Sequence, residues 1–477
     1  MNMAKHLTRV SSLLILAFSL ANTSISAEDS LREDAEAALK SAVTFYSQEV
    51  ADHGGYVYLY AEDLSRQWGE GEYDDDMIFV QPPGTPTVGM AMLRAYEVTG
   101  DPVALSAALA AGKALAAGQL KSGGWAQTID FTPDKKSGDY LRRPGGRRNV
   151  SSLDDGQTQA AIEFLSKLDR TLEFRNTLIH ETVTLALDSL LEAQFPNGGF
   201  PQVWRAPVPK TDVKQANYPE YDWRTENRIK EYWDYPTLND GLAGTVAETL
   251  IVAHEVYKDE RYLSALKRLG DFLILAQMPD PQPAWAQQYN NDMQPMWARK
   301  FEPPAISGWE SQDVMKTLIR IAEYTGEMKY LEPLPKALTY FRQHCLFPDG
   351  TVARFYELKT NRPLYMDRDY QLSYDRATAP THYGWNFPAK FDRIAEAAKR
   401  VAAGKPLTGR PNAQRLREKV QEVIRDLDDR GRWVETYRGE RLTGQPNLPE
   451  NFEYLSSQVF ADNVNLLADF LAASEED

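Results

Sequence analysis

A Gly- or Asp-marked turn that runs into an aromatic residue recurs along this chain, and helical segments fill the gaps between its copies. The copies are HGGYVYLY (53–60), SGGWAQ (122–127), NGGFPQVW (197–204), PDGTVARFY (348–356) and RGRWVETY (430–437), with PAWAQQY (283–289) as a version lacking the glycine. Successive copies lie roughly 65 to 85 residues apart, room for two helices and a long loop. Between them, TPTVGMAMLRAYEVTGD (85–101), GQTQAAIEFLSKL (156–168), DGLAGTVAETLIVAHEVY (240–257), SGWESQDVMKTLIRIAEYTG (307–326) and SSQVFADNVNLLADFLAA (456–473) carry apolar residues at three- and four-residue spacing. Several stop at a Gly or Asp, as VTGD and YTGE do, and each is followed by a partner such as ALSAALAAGKALAAGQL, NTLIHETVTLALDSLLEAQ or RYLSALKRLGDFLILAQ. Antiparallel helix pairs with turns at matching ends predict an all-α fold, an α/α toroid of helical hairpins with short β segments in its long loops. The competing arrangement is an irregular helical array. In a toroid the turns share a rim, where their aromatics either stack on sugar rings or pack the loops.

The first residues set the address. Lys5 and Arg9 give a basic start, Leu13 to Leu20 is a short apolar run, and Ala27 closes a stretch of small polar residues. That layout reads as a secretory signal over 1–27, too short and wrongly flanked for a membrane anchor. The expectation is a secreted or periplasmic protein with a single α/α-toroid catalytic domain over 28–477, a monomer with no membrane partner. A formal charge of -15 argues against nucleic acid as a partner. An anionic ligand would need a local basic cluster or a metal. Cys345 is the single cysteine and sits in an apolar helical run, TYFRQHCLF, as expected of a buried thiol.

Two excursions break the repeat. Residues 128–152 hold Lys135, Lys136, Arg142, Arg143, Arg147 and Arg148 among glycines, a basic loop in an acidic chain. Residues 205–236 mix prolines, tyrosines and charges. Loops of that length in a compact domain are functional or disordered.

Acidic residues stand at two helix starts. In SLDDGQT (152–158) Asp154 and Asp155 precede a helix, and in TLNDGLAG (237–244) Asn239 and Asp240 do the same. One Asp suffices as an N-cap, so the second is left over. If the two hairpins converge, three carboxylates and an amide oxygen make a hard-cation site suited to calcium. A third stretch, MQPMWARKFEPPAISGWES (293–311), puts Trp297, Arg299, Lys300 and Glu302 ahead of Pro303 and Pro304. Consecutive prolines keep this segment extended until Ser307 starts a helix. Here Arg299 is either a functional group or the partner of Glu302 in a loop clasp.

In order along the chain, SLDDGQTQAAIEFL, NGGFPQVW, TLNDG, MWARKFEPPAISGWES and VARFYELKTNRPLYMDRD resemble the motifs of family 10 pectate lyases, from about Gly123 to Trp385. The resemblance implies a mainly helical enzyme that cuts polygalacturonate by β-elimination with calcium, Ca2+. It implies Asp154, Asp155 and Asp240 as calcium ligands, Arg299 as catalytic base, and Arg362 and Arg368 as partners of substrate carboxylates. Trp297 and Lys300, beside Arg299, join the substrate-binding candidates. The chain departs from the family twice: it has Asp155 where the family usually has Asn, and PTHYGW (380–385) where the family has arginine, so His382 stands at a substrate-binding position. The expected partner is an acidic polysaccharide. Two other readings of the same carboxylates are a glycoside hydrolase with Asp acid and base and a non-catalytic glycan-binding homologue.

Overall fold

The computed structural model describes residues 27–133, 137–226, 228–381, 383–407 and 413–473. The expected signal segment, apart from its last residue, and Lys135, Lys136 and His382 lie outside these described residues. The helices are α1 (Ala27–Phe45), α2 (Thr85–Thr99), α3 (Pro102–Gly118), α4 (Gln157–Thr171), α5 (Thr177–Glu192), α6 (Leu242–Tyr257), α7 (Glu260–Leu275), α8 (Gly308–Thr325), α9 (Leu334–His344), α10 (Phe391–Ala402), α11 (Ala413–Arg425) and α12 (Ser457–Ala473).

Their boundaries follow local chemistry. The Asp101 and Asp259 side chains accept from the amides of Val103 and Arg261 to start α3 and α7. Gly100 and Gly326 end α2 and α8 in the left-handed conformation, which a glycine adopts without steric cost.

Helix α2 packs on α3, α4 on α5 and α6 on α7, as the repeat predicts, whereas α9 packs on α10, the helix after it. One series then runs side by side, α12 against α2, α2 against α4, α4 against α6, α6 against α8, and α8 against α10. The contact between α12 and α2 brings the two chain ends together into a ring. Strand 59–61 pairs antiparallel with 453–456, Leu59 opposite Ser456, and the Ser457 hydroxyl donates to the Val57 carbonyl. The fold is therefore the α/α toroid.

The turns carry a shared device that the repeat pattern only hinted at. The amides of Tyr56, Trp125 and Trp285 each donate to a hydroxyl on the first turns of the next inner helix: Thr85, Thr158 and Ser311. Each hydroxyl returns a hydrogen bond to the carbonyl of the same turn residue. A second device recurs three residues apart, where the amides of Val57, Ala286 and Ala353 donate to the phenols of Tyr60, Tyr289 and Tyr356.

The turn indoles point inward as well. Trp125, Trp285 and Trp433 donate to the carbonyls of Leu115, Leu273 and Val423, on the preceding outer helices. All three are buried, as are Phe200, Trp204 and Tyr356. The aromatics of these turns pack the loops, and none of the six is open to a sugar ring. Burying such large rings is a leading source of stability, and their N–H groups need internal acceptors once dry.

Candidate active site

Two inner helices, α4 and α6, begin with the same backbone motif. In Asp154–Asp155–Gly156, Asp155 and Gly156 have φ of 45° and 73°; in Asn239–Asp240–Gly241, Asp240 and Gly241 have φ of 50° and 73°. Two successive left-handed residues turn the chain sharply, and an Asp–Gly pair tolerates this better than most. The glycine occupies the cap position of each helix, and no side chain caps either one. The carboxylates are thus not used as helix caps.

They converge instead. Asp154, Asp155 and Asp240 each offer a carboxylate oxygen within 4.8 Å of the others. Short pairings set this register: strand 151–152 pairs with 203–204, and the amides of Leu153 and Leu238 donate to the carbonyls of Gln202 and Gln287. Packed this closely, these groups disturb one another. Burial, and then the Asp240 charge, raises the pKa of Asp154. Burial, Asp154, Asp240 and Glu70 push Asp155 up to about 7. Gln81 donates to both Asp155 and Glu70, at 3.2 and 3.1 Å.

This donor set suits a hard divalent cation. It is all oxygen, it is crowded with negative charge, and the buried Asn239 Oδ1 beside Asp240 has no hydrogen-bond partner. The residues that would hold calcium are Asp154, Asp155 and Asp240, with the Asn239 amide oxygen near them. A second group, Asp52, His53 and Asp76, also clusters, but His53 already bonds Asp76 at 2.5 Å and stacks on Phe131.

Arg299 reaches the same place from the proline-rich stretch. Its Nη2 lies 3.8 Å from Asp240 Oδ2 and 2.6 Å from Glu302 Oε1. The Arg299 amide also donates to Glu302 Oε2 at 3.0 Å, and the Tyr383 phenol donates to Glu302 Oε1 at 2.8 Å. The loop clasp read in the sequence is therefore present, and it points Arg299 toward the aspartates. Burial alone would lower the Arg299 pKa, but the Glu302 hydrogen bond and charge more than reverse this, so it stands above its usual value. Burial works the other way on Glu302, whose carboxyl the Arg299 bonds hold below the usual range.

Beneath Asp240 sits a pair that motif reading did not single out. Arg354 lies 3.2 Å from Glu310 and 3.6 Å from Asp240, and both Arg354 and Glu310 are buried. The pairing of strand 355–356 with 306–307, Phe355 opposite Ser307, brings them together. The Arg354 guanidinium also covers the Tyr383 ring at 4.6 Å. Burial pushes Glu310 up to about 7 against the opposing pull of Arg354. A sequence signal existed: Ser307 and Glu310 stand at the S-x-x-E spacing of a helix start, Ser307 Oγ accepting from the Glu310 amide and donating to its carboxylate, while the Ser307 amide donates to the Trp285 carbonyl.

The other predicted residues fall around this centre. Trp297 is 1% exposed; its indole donates to the Trp223 carbonyl and Arg228 covers its ring at 3.8 Å. It underpins the loop. Lys300 is exposed, its Nζ 5.7 Å from the centre of the Tyr370 ring. Arg368 is exposed on the turn of the hairpin 363–373, two residues before Tyr370. Arg362 stacks on Tyr374 at 3.5 Å, and Tyr374 bonds Glu357, which also pairs with Arg224. In the basic excursion, Arg142 and Arg143 bond carbonyls at the end of α3. Cys345 is buried and its thiol is pushed up to about 12 by burial.

Residues 119–348 match the family described as pectic acid lyase. No curated protein matches. Among solved structures, the chain is similar to a family 10 polysaccharide lyase from Cellvibrio cellulosa, at 21% identity and a TM-score of 0.46, over 66% of this chain and 97% of that one. A variant of that enzyme in complex with trigalacturonic acid gives 20% identity and 0.46 over 65% and 98%. A cellobiose 2-epimerase from Bacillus thermoamylovorans gives 14% identity and 0.45 over 93% and 100%.

Proposed function

Since the chain belongs to the pectic acid lyase family through residues 119–348, and so is a polysaccharide lyase, we propose that it is a secreted pectate lyase that cleaves polygalacturonate or a related uronate polymer by calcium-assisted β-elimination. The observation that carries this reading is the meeting of three carboxylates with one arginine, Arg299 Nη2 lying 3.8 Å from Asp240.

The chemistry asks for such a meeting. Removing the proton beside a uronate carboxylate places a second negative charge next to the first, so positive charge near that carboxylate is the strongest available lever. Calcium held by Asp154, Asp155 and Asp240 would supply part of it.

The chain's own residues do the rest. Arg299 is assigned as the group that takes the proton. Its resting state is the protonated one held by Glu302, so guanidinium chemistry alone makes it a poor base. To take the proton, Arg299 has to lose its own to solvent first, which requires the Glu302 clasp to open, because pairing with any carboxylate holds the guanidinium protonated. Tyr383 and Arg354 keep Glu302 and Asp240 in place meanwhile. Lys300 and Arg368 lie on neighbouring exposed turns and are assigned to substrate carboxylates, as is Arg362.

Product chemistry tests this. Elimination leaves an unsaturated sugar end and adds no water, whereas hydrolysis adds one water per cut. Mass spectrometry of polygalacturonate fragments should therefore show unsaturated ends, and saturated ends alone would refute the assignment.

A further inference from the structure

Elimination has two ends, and Asp154, Asp155, Asp240 and Arg299 serve one of them. Positive charge beside the uronate carboxylate and a base near its neighbouring carbon favour removal of the proton. The glycosidic oxygen on the next carbon still departs as an alkoxide unless a proton meets it. On a galacturonate ring in its chair, the hydrogen on C5 and the oxygen on C4 project to opposite faces. Arg299, having taken the one, cannot return that proton to the other. A second proton-bearing group is needed in the same cleft, free of other bonds.

Tyr232, from the 205–236 excursion, has these properties. It lines one cavity of about 520 Å³ with Arg299. The charges its phenol feels are those of Glu302, Arg299, Asp154 and Asp240, which come from three separate segments. Among the described residues nothing bonds its half-buried hydroxyl, whereas Tyr383, the other phenol beside Glu302, already donates to that carboxylate. The Gln288 side-chain amide donates to the Tyr232 carbonyl at 2.9 Å, and the Gln202 amide donates to the Trp233 carbonyl at 3.0 Å. The backbone is thus pinned while the hydroxyl stays uncommitted. Burial raises the phenol's pKa above its ordinary value, and Glu302, Asp154 and Asp240 add to this against the pull of Arg299, so it carries its proton.

We propose that Tyr232 is the catalytic acid that protonates the departing glycosidic oxygen. The inference rests on the lyase reading above. As Arg299 takes the C5 proton, the C–H electron pair becomes the second bond between C4 and C5. The bond from C4 to oxygen breaks with its pair on oxygen, and the Tyr232 hydroxyl proton joins that oxygen. Solvent then reprotonates the phenolate and accepts the proton from Arg299.

The test compares wild type with Tyr232→Phe on hexagalacturonate and calcium in heavy water. Elimination is read by ultraviolet absorbance, and deuterium at C5 of the uncut oligomer by mass spectrometry. The substitution should lower kcat by about 10²-fold or more while KM stays within about threefold, the scale of a lost acid. Arg299 is untouched, so deuterium should still enter at C5, and the ratio of uptake to elimination should rise at least about tenfold. Both are read on the same folded molecules, so their ratio does not depend on how much of the variant folds. An unimpaired kcat overturns the assignment. Uptake that falls in step with elimination overturns it too, and makes Tyr232 a positioning residue for Arg299. Wild type that forms no unsaturated ends brings down the lyase reading and this assignment with it, whereas an active wild type beside an unimpaired Tyr232→Phe overturns the assignment alone.

Discussion

Calcium affinity should depend steeply on pH below neutrality, because Asp155 in the cation-free chain holds its proton up to about 7. A cation ligand has to be a carboxylate, so each calcium bound below that pH displaces a proton. The sign is fixed by the direction of the shift. The pKa is raised in the cation-free form, so binding is unhindered above pH 7 and is lost as pH falls. With one competing proton, apparent affinity drops tenfold per pH unit, which makes about a 100-fold loss between pH 8 and pH 5. A calcium titration by calorimetry at each pH, repeated in buffers of different ionisation enthalpy, reads both the affinity and the proton released. The Asp155→Asn variant should bind more weakly above pH 7 and lose most of the slope. Affinity that stays level from pH 8 to pH 5 would refute the crowding argument, as would an unchanged slope in Asp155→Asn.

Other expectations follow from the same geometry. Arg299→Ala should lower kcat by about 10²- to 10⁴-fold, the usual scale for a proton-transferring group, with a much smaller change in substrate affinity; steady-state kinetics on polygalacturonate separates the two. Glu302→Gln weakens the clasp that aims Arg299, so kcat should fall while calcium affinity is retained, and an unchanged kcat would remove Glu302 from the site. Arg354→Met leaves Glu310 buried beside no cation and should cost about 3 kcal/mol in denaturant unfolding at pH 8. Glu163, on α4 where Thr249 of α6 donates to it, is raised by burial from 4.5 to about 7. Its protonated form suits the fold, so that stability is complete below pH 4.5 and is lost as pH rises through 7. Glu163→Gln should therefore stabilise by up to about 3 kcal/mol at pH 8 and change little at pH 4.

Much of this fold can be read from the sequence because its information is local. Gly100, Asp101, Asp259 and Gly326 mark helix ends through their own backbone preferences, and the spacing of the turns gives the hairpin repeat. The convergence of Asp154, Asp155 and Asp240 was also legible, since two consecutive inner helices open with an Asp–Gly step. What stayed hidden depends on contacts between distant segments. Arg354 meets Asp240 only because strand 355–356 pairs with 306–307, a register that one sequence does not state. Tyr383 bonds Glu302 across more than eighty residues of chain for a similar reason. The turn tryptophans looked equally suited to stacking on sugars, and the carbonyls of Leu115 and Leu273 that bury them are invisible from the motif. Arg299 was readable as a candidate, and its clasp with Glu302 as well, but which way that pair faces needed the fold.

The most direct measurement is the growth of ultraviolet absorbance from unsaturated sugar ends when the protein meets polygalacturonate. Absorbance should rise with calcium present, stop when a chelator is added, resume when calcium is restored, and be absent in Asp240→Ala at the same calcium level. A rate indifferent to chelator, or new reducing ends that form without absorbance, would contradict the claim that Asp154, Asp155, Asp240 and Arg299 act together on the proton beside a uronate carboxylate.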